Sequence, residues 1–573
     1  MEPSLREGIE EAAEIHALIN AIKHGGSAEP GAIMGPLMAD HPEFRPHGDQ
    51  MMEIIAPVVA TVNDLDEAAR RERLGELDPD ALAELEEEPE DDEDPALPTL
   101  PHVDAYDEIR VRCAPNPNGP WHIGSARMGA VVGTYRDMYD GWMLCRFDDT
   151  DPDTKRPDLD AYETILDDLA YLGFEPDKVI RASDRLASYY EHARAVIDAG
   201  GAYTCSCAQA EFSAKKRDGD ACPHREKDIE TTRAEFESMI AGEYDEGDIV
   251  LRIRTDMEAP NPAERDWVAF RIVERPHPRK EAASYRCWPM LDFQSAIDDH
   301  LENITHIIRG KDLQDSAARQ GYVYDYLDWD YPKVLHWGRI SVDEYDVPLS
   351  TSTIGERIAS GELDDWTDPR APTVQSLARR GIRGEAVTAA LIELGVSTSD
   401  VELSMSSIYA ENRERVDPDA NRYFVVKDPV EVPLAGEVPA IAEPPRHPEY
   451  EERGTREIPV GDAVLVEQED LPANGDRVWL KGLGCLEYTR DALLFTGTDI
   501  SVVRDDGVPV VHWVPATDHV DVQLRTLDGD VAGIGEPELG EASADTIVQF
   551  ERVGFARIDR QTTEHTVAYF SHR

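Results

Sequence analysis

The sequence predicts a multidomain protein: an acidic, mainly helical extension, a parallel α/β body, and an all-β carboxy-terminal region. Three observations predict this. Residues 108–199 alternate strand, loop and helix patterns, as a parallel sheet with crossover helices requires. After about residue 420 helical periodicity gives way to short alternating strands. At 573 residues the chain exceeds what one core fills, so several domains are expected.

The elements follow in order. Residues 1–84 alternate helical patterns with acidic loops. The run Glu86-Glu87-Glu88-Pro89-Glu90-Asp91-Asp92-Glu93-Asp94-Pro95 then breaks any helix. Its charges repel and its prolines stiffen it, so residues 1–100 read as an extension ending in an exposed linker. Glu108-Ile109-Arg110-Val111-Arg112-Cys113 alternates like a strand, and Ala114 to Pro120 has loop composition. From Gly124 the pattern is helical, with Met128, Val131, Val132 and Tyr135 on one side. A second strand is expected at Trp142–Phe147, with helices at about 160–173 and 184–199. Toward the end, Val520, Val522 and Leu524 alternate, Asn474-Gly475 reads as a hairpin turn, and Val567–Phe570 reads as a last strand.

Charge narrows the class. The chain carries 117 acidic and 57 basic residues, a net charge of −60, and only 11 of the basic residues are lysines. So acidic a surface repels nucleic acid in dilute buffer. At molar salt the Debye length falls to roughly 3 Å and the objection weakens. A disordered acidic chain is excluded by its 41% hydrophobic content and nine tryptophans. The acidity therefore reads as a halophilic surface. No stretch of 18 apolar residues is present, so no membrane partner is expected. Seven cysteines and an acidic start without an apolar signal region point to reduced thiols and a cytoplasmic location.

Pro120-Trp121-His122-Ile123-Gly124-Ser125 stands at the strand-loop-helix junction. Glycine there admits close backbone approach, and a helix amino terminus offers free N–H groups to phosphate. His122 is placed to hydrogen-bond an α-phosphate as charge develops. A bare His-x-Gly is common and usually marks an ordinary turn. Here the whole stretch Arg112–Arg127 resembles the signature of the glutamyl and glutaminyl class I aminoacyl-tRNA synthetases. Arg146-Phe147-Asp148-Asp149-Thr150-Asp151-Pro152 and Thr305-His306-Ile307-Ile308-Arg309-Gly310-Lys311-Asp312 resemble that family's later blocks, in its order and spacing.

The resemblance covers roughly residues 104–573 and implies an architecture. It places a Rossmann-type catalytic domain at 101–204 and 285–345, split by an acceptor-binding insertion at 205–284. A signature loop and helical connecting region follow at 346–418, then β-barrel anticodon-binding modules at 419–573. It assigns ATP to Pro115, Asn116, Gly119, His122, Ile123, Gly124 and Ser125, and glutamate to Arg112, Asp148 and Arg309. His122, Gly124 and the Ser350-Thr351-Ser352 loop would carry catalysis, with Mg²⁺ accompanying ATP. The implied reaction has two steps: glutamyl-adenylate forms, then the acyl group passes to the terminal ribose of tRNA(Glu), with tRNA(Gln) a plausible second acceptor. Family members generally need bound tRNA before activation, and a monomer is expected.

The chain departs from the family pattern in three places. Ser125 replaces the second histidine of the HIGH motif. Thr351 stands where the KMSKS loop normally supplies a lysine, a form resembling archaeal members; Arg357, Lys311 or Mg²⁺ are candidate sources of the missing charge. Met290 and Leu291 occupy positions where Thr-Tyr is usual.

Two further features stand apart. Cys205-Ser206-Cys207 and Cys222-Pro223-His224 offer four soft ligands in two close pairs, which suits tetrahedral Zn²⁺, and some family members carry zinc in this insertion. Lys215-Lys216-Arg217, Arg379-Arg380 and Arg383 are local basic excesses in an acidic chain and read as tRNA contacts. The competing readings are a glutaminyl-tRNA synthetase and a non-catalytic tRNA-binding scaffold. The archaeal Leu-Ser-Thr-Ser form weighs against the first, and intact Arg112, His122, Gly124 and Asp148 against the second.

Overall fold

The computed structural model describes residues 97–562 and 565–573 throughout, and before them 3–23, 48–63, 67–78 and a few isolated positions. The acidic run expected as a linker lies outside the described residues. The chain divides into two compact units, Met1–Pro95 and Ala96–Arg573.

In the first unit α1 (Pro3–Lys23), α2 (Gly48–Asn63) and α3 (Glu67–Leu77) share one apolar core. Ile9, Ala13 and Ala17 recur at helical spacing on α1 and pack with Met51, Ile55, Val59 and Val62 of α2 and Leu74 of α3. Arg73 pairs with Glu14 at 2.7 Å across that bundle.

The second unit opens with β1 (Arg110–Cys113), α4 (Ile123–Met138), β2 (Trp142–Phe147), α5 (Ala161–Tyr171), β3 (Lys178–Arg181) and α6 (Leu186–Asp198). Strands β1, β2 and β3 are parallel neighbours, with Arg112 opposite Leu144 and Cys113 opposite Cys145. After an insertion come α9 (Leu291–Leu301), β8 (His306–Gly310), α10 (Gln314–Leu327) and β9 (Lys333–Trp337), with β8 and β9 again parallel. The Thr305 N–H donates to the Arg110 carbonyl at 2.9 Å and joins β8 to the other side of β1. The parallel strands thus run β3-β2-β1-β8-β9. The order reverses beside β1, the place where open α/β sheets bind ligands.

The insertion is an antiparallel sheet, β4 (Ala202–Cys205), β5 (Val250–Ile253), β6 (Val268–Ile272) and β7 (Cys287–Pro289), with α7 (Gln209–Asp218) and α8 (Ile229–Ala241). Asp228 caps α8 by accepting from the Thr231 N–H, and Gly242 in the left-handed region ends it.

Beyond β9 lies a helical region, α11 (Thr351–Ala359), α12 (Val374–Arg379), α13 (Gly384–Glu393) and α14 (Met405–Val416). Two seven-stranded sheets close the chain. Segments Arg422–Tyr423 and Val425–Lys427 join the strands of residues 520–572, while the strands from Pro429 to Pro515 form the other sheet, apart from Ile441–Ala442 and Ile458–Pro459, which pair with each other. Each sheet wraps its own apolar cluster, one around Trp513 and Leu486, the other around Phe550 and Ile558. Asn474-Gly475 does turn the chain, with Gly475 at φ 93°. It is not a hairpin, because Ala463–Glu467 pairs with Pro429–Pro433 and Arg477–Leu480 with Gly484–Glu487. Core packing, not turn chemistry, decides those partners.

One basic cluster proves structural. Arg380 is fully buried. Its guanidinium donates to the Phe570 and Ser571 carbonyls at 3.0 and 2.6 Å and to the Tyr345 and Tyr409 hydroxyls at 2.8 and 2.7 Å. Arg379 forks onto Asp559 at 3.1 Å and covers the Tyr569 ring. Both arginines bind the helical region to the carboxy-terminal sheet, and the buried Arg380 is not available to RNA. Replacing Arg380 by Ala removes the donor from the Phe570 and Ser571 carbonyls and the Tyr345 hydroxyl, while Tyr409 keeps its bond to Glu344. At about 1–3 kcal/mol for each unsatisfied group, Arg380→Ala should lower stability by roughly 3 kcal/mol or more. Urea unfolding in molar KCl should show the midpoint falling, and an unchanged midpoint would contradict this role.

Candidate active site

The pocket forms where β1 and β2 end. The loop after β1 is stitched to the loop after β2: the Asp148 N–H donates to the Pro115 carbonyl at 2.9 Å, and Asn116 Nδ2 donates to the Asp148 carbonyl at 2.9 Å. His122 then caps α4, its Nδ1 accepting from the Ser125 N–H at 3.1 Å. An Nδ1 that accepts carries no proton, so the neutral ring holds its proton on Nε2, which lies 3.1 Å from Ser125 Oγ. Burial lowers the His122 pKa from 6.5 to about 4, which keeps the ring neutral. Ser125 thus sets the tautomer of His122.

Gly119 and Gly124 face the signature loop. A Cβ on Gly119, at φ 151°, would lie 2.5 Å from Thr351 Cγ2. One on Gly124 would meet the His122 ring at 3.1 Å and Leu349 Cδ1 at 3.3 Å. No side chain fits at either position without displacing these groups. Ser350 caps α11, its Oγ 3.1 Å from Ser352 Oγ and accepting from Thr353 Oγ1 at 3.2 Å. The two suggested sources of extra charge are both ion-paired, Arg357 with Glu362 at 2.7 Å and Lys311 with Asp400 at 2.8 Å.

Behind the pocket lies a ladder of buried charges. Arg112 Nε donates to Asp299 Oδ1 at 3.1 Å, and Arg146 Nη1 donates to the same oxygen at 2.6 Å. Arg146 Nε reaches Asp148 Oδ1 at 2.7 Å, and its Nη2 reaches Ser295 Oγ at 2.8 Å. Gln294 Nε2 also donates to Asp148 Oδ1, at 2.6 Å. Burial works against ionised Asp299, but Arg112 and Arg146 outweigh it and hold its carboxyl below the usual range. Asp148 is pushed up by burial, with Arg146 and Arg112 pulling back. Among the described residues no donor reaches Asp148 Oδ2, and none of the acceptors reaches Arg112 Nη1.

Arg309 is the exception in this ladder. It is buried, yet among the described residues it has no carboxylate partner. Its Nη1 donates to Gln320 Oε1 at 3.2 Å, its Nη2 reaches the Tyr331 hydroxyl at 3.4 Å, and its Nε has no partner. Burial pulls its pKa down, and neighbouring Arg112 adds to the fall. Leu291, where tyrosine was expected, is exposed at the start of α9. Sequence reading misses Asp299 and Gln294, which lie 187 and 146 positions from Arg112 and Asp148, and Gln320 and Tyr331, which meet Arg309 from 11 and 22 positions away.

In the insertion the four soft ligands converge, all within 4.8 Å of one another. Cys205 Sγ lies 3.8 Å from Cys222 Sγ and 3.8 Å from His224 Nδ1, and Cys207 Sγ lies 3.4 Å from that nitrogen. The far side of the imidazole, Nε2, stands 3.1 Å from Ser206 Oγ. The neighbouring basic run is partly engaged within the insertion: Lys216 Nζ donates to the Ala263 carbonyl at 3.3 Å, while Arg217 and the distant Arg383 are exposed.

Comparison with known proteins agrees with this geometry. Residues 108–418 match the family described as tRNA synthetases class I (E and Q), catalytic domain. Residues 420–499 and 510–559 match two anticodon-binding domains of the same class. The chain is 62% identical over its full length to a glutamate–tRNA ligase of Natronomonas pharaonis, which it also covers fully. It is 61% identical to one of Haloarcula marismortui, again over the whole of both chains. It is 44% identical to one of Methanosarcina mazei, over 98% of each. The chain therefore belongs to the class I tRNA synthetases of the glutamyl and glutaminyl family.

Proposed function

We infer that the chain is a glutamate–tRNA ligase that activates glutamate with ATP and esterifies it to tRNA(Glu). The observation that carries the choice of amino acid is charge. Arg112, Arg146 and Arg309 bring three guanidiniums to the pocket, while Asp148 and Asp299 bring two carboxylates. Asp298 is already matched by Arg185 at 2.6 Å. The pocket keeps one net positive charge, and glutamate, with two carboxylates and one ammonium, neutralises it. Glutamine would leave a buried guanidinium unpaired. Arg309 Nε and Arg112 Nη1 are the donors for carboxylate, and Asp148 Oδ2 is the acceptor for ammonium.

The chemistry follows from placement. An oxygen of the glutamate α-carboxylate attacks the α-phosphorus of ATP, and the bond to pyrophosphate breaks. The His122 Nε2–H donates to the α-phosphate as charge builds there. Pro115, Asn116, Gly119 and Ile123 shape the loop that admits the nucleotide, and Ser350, Thr351 and Ser352 offer hydroxyl and N–H donors to the leaving phosphates. The terminal ribose 2′-hydroxyl of tRNA then attacks the acyl carbon and AMP departs. Holding the groups in line supplies much of the acceleration. Magnesium enters with ATP as its counter-ion.

Zinc fits the cysteine–histidine cluster. Sulfur ligands at about 2.3 Å from a tetrahedral zinc stand roughly 3.8 Å apart, which matches the Cys205–Cys222 spacing. Ser206 orients the imidazole from behind, as outer-shell partners of metal-bound histidine do. The ion would pin the insertion and has no part in the chemistry.

Three measurements test this reading. Arg309→Ala should raise the KM for glutamate roughly 30-fold, about 2 kcal/mol for a charge-assisted pair, while the KM for ATP stays put; equal loss for both substrates would point to a folding defect. Elemental analysis should find about one zinc per chain, and chelation should lower the melting temperature; less than about half a zinc per chain removes the metal. The pH dependence has a definite sign. Because the His122 pKa is depressed to about 4, its contribution is present above 6.5 and is lost as pH falls through about 4. ATP–pyrophosphate exchange should therefore show no His122 limb between about pH 5 and 8, and a ring titration by NMR with an inflection near 6.5 would refute this.

A further inference from the structure

Trp366 packs beside the contact between the nucleotide loop and the signature helix, where a Cβ on Gly119 would lie 2.5 Å from Thr351 Cγ2. That Cβ would lie 3.2 Å from Trp366 Cη2, and a Cβ on Gly355, within α11, would lie 3.6 Å from the same atom. The same edge of the indole therefore lies near both glycines. The ring is half-buried and joins a small apolar cluster of Val347, Ile354, Leu363 and Ala371. These residues bracket the Ser350-Thr351-Ser352 loop in sequence.

The segment that carries Trp366 is held at several points. Buried Asp368 accepts from the Asp364 and Arg370 N–H groups at 2.9 Å each, and from the Arg370 guanidinium at 2.9 and 2.6 Å. The Trp366 carbonyl accepts from Thr373 Oγ1 at 2.6 Å. Thr373 in turn bridges His122 in an antiparallel pair, with the Ile123 N–H on the Pro372 carbonyl at 3.0 Å and the Val374 N–H on the Trp121 carbonyl at 2.9 Å. On its outer side, Asp364 accepts from Arg525 of the carboxy-terminal sheet at 2.7 Å. The backbone of Trp366 is thus tied through Thr373 to the segment at His122, while its ring packs on the cluster that includes Ile354 of α11.

We propose that Trp366 is a positioning residue for ATP: its indole is a rigid spacer beside the Gly119–Thr351 contact that fixes how the Ser350-Thr351-Ser352 helix sits against the loop at Gly119. A large, two-torsion aromatic resists compression, whereas two glycines opposite it allow contact without side-chain interference. Because Thr351 has no charge to pull the triphosphate in from a distance, its hydroxyl acts only at hydrogen-bond range, and the spacing must be set by packing. The proposal rests on the reading that these two loops bind ATP.

The test is steady-state ATP–pyrophosphate exchange in molar KCl, with tRNA present, for Trp366→Ala, Trp366→Phe and His122→Ala. A misplacement of about 1 Å costs up to roughly 10²-fold, so Trp366→Ala should lose at least about tenfold in kcat/KM for ATP. Its KM for glutamate should stay within about twofold of the parent, and Trp366→Phe, which retains an aromatic wedge, should recover most of the loss. Wild-type exchange by Trp366→Ala overturns the proposal. So does a parallel rise in both KM values, or a Trp366→Phe variant as impaired as the alanine. If His122→Ala exchanges normally, the ATP reading of the loop fails, and the spacer proposal fails with it. If His122→Ala is impaired while both Trp366 variants are normal, the spacer proposal alone falls.

Discussion

Asp299 shared between Arg112 and Arg146 is the interaction on which the pocket depends. Buried ions cost several kcal/mol each unless paired with good geometry, and removing one partner leaves the others uncompensated. The three residues come from β1, β2 and α9, and the whole insertion from β4 to β7 lies between the second and the third. The ladder therefore closes between residues that the insertion separates in sequence. Charge pairing joins the two halves of the α/β body on either side of the insertion, and it fixes the guanidinium of Arg112 before any ligand arrives. Preorganisation of that kind saves the cost of ordering a charged side chain at the moment of binding.

The same economy governs arginine elsewhere. Arg127, Arg146, Arg380 and Arg456 are among the largest fully buried side chains. Guanidinium is planar, weakly hydrated and presents five donors, so it satisfies several carbonyls or carboxylates at once, which an ammonium cannot do. With 57 basic residues against 117 acidic ones, this chain commits many of its arginines to holding elements together and leaves the surface to carboxylates. At molar salt the long-range repulsion of RNA by that surface is confined to a few ångströms. Binding then depends on contacts at close range more than on a broad positive field.

The sequence reading reached far where short-range rules apply. The β1–α4–β2 alternation, the helix start near Gly124 and the paired Cys-x-Cys and Cys-x-His ligands are local patterns, and the structure has each of them. It failed where tertiary context decides. Arg379-Arg380 stood out as charge in an acidic chain, yet Arg380 has its partners at Phe570 and Ser571, about 190 positions away. Asn474-Gly475 has turn chemistry, but its flanking strands pair elsewhere. Asp299 and Gln294 could not be tied to Arg112 and Asp148 because nothing local marks which buried carboxylate will meet which guanidinium. The pocket's chemistry was visible in residue types, and its wiring was not.

Threonine at position 351 can be understood in the same terms. A lysine there would act as an exposed point charge, and its pull on phosphate at a distance is what concentrated salt removes first. Hydrogen bonds at contact are screened much less. On the proposed ATP reading, Ser350, Thr351 and Ser352 supply hydroxyls together with the free N–H groups of a helix start, and all of these would act only at contact with the phosphates. A site built on contact needs an accurate gap more than it needs charge. Gly119 leaves no room for a side chain against Thr351, and the segment carrying Trp366 is tied by Thr373 to the segment at His122. In this chain, loss of the lysine and tight packing of the two loops are one solution to one physical problem.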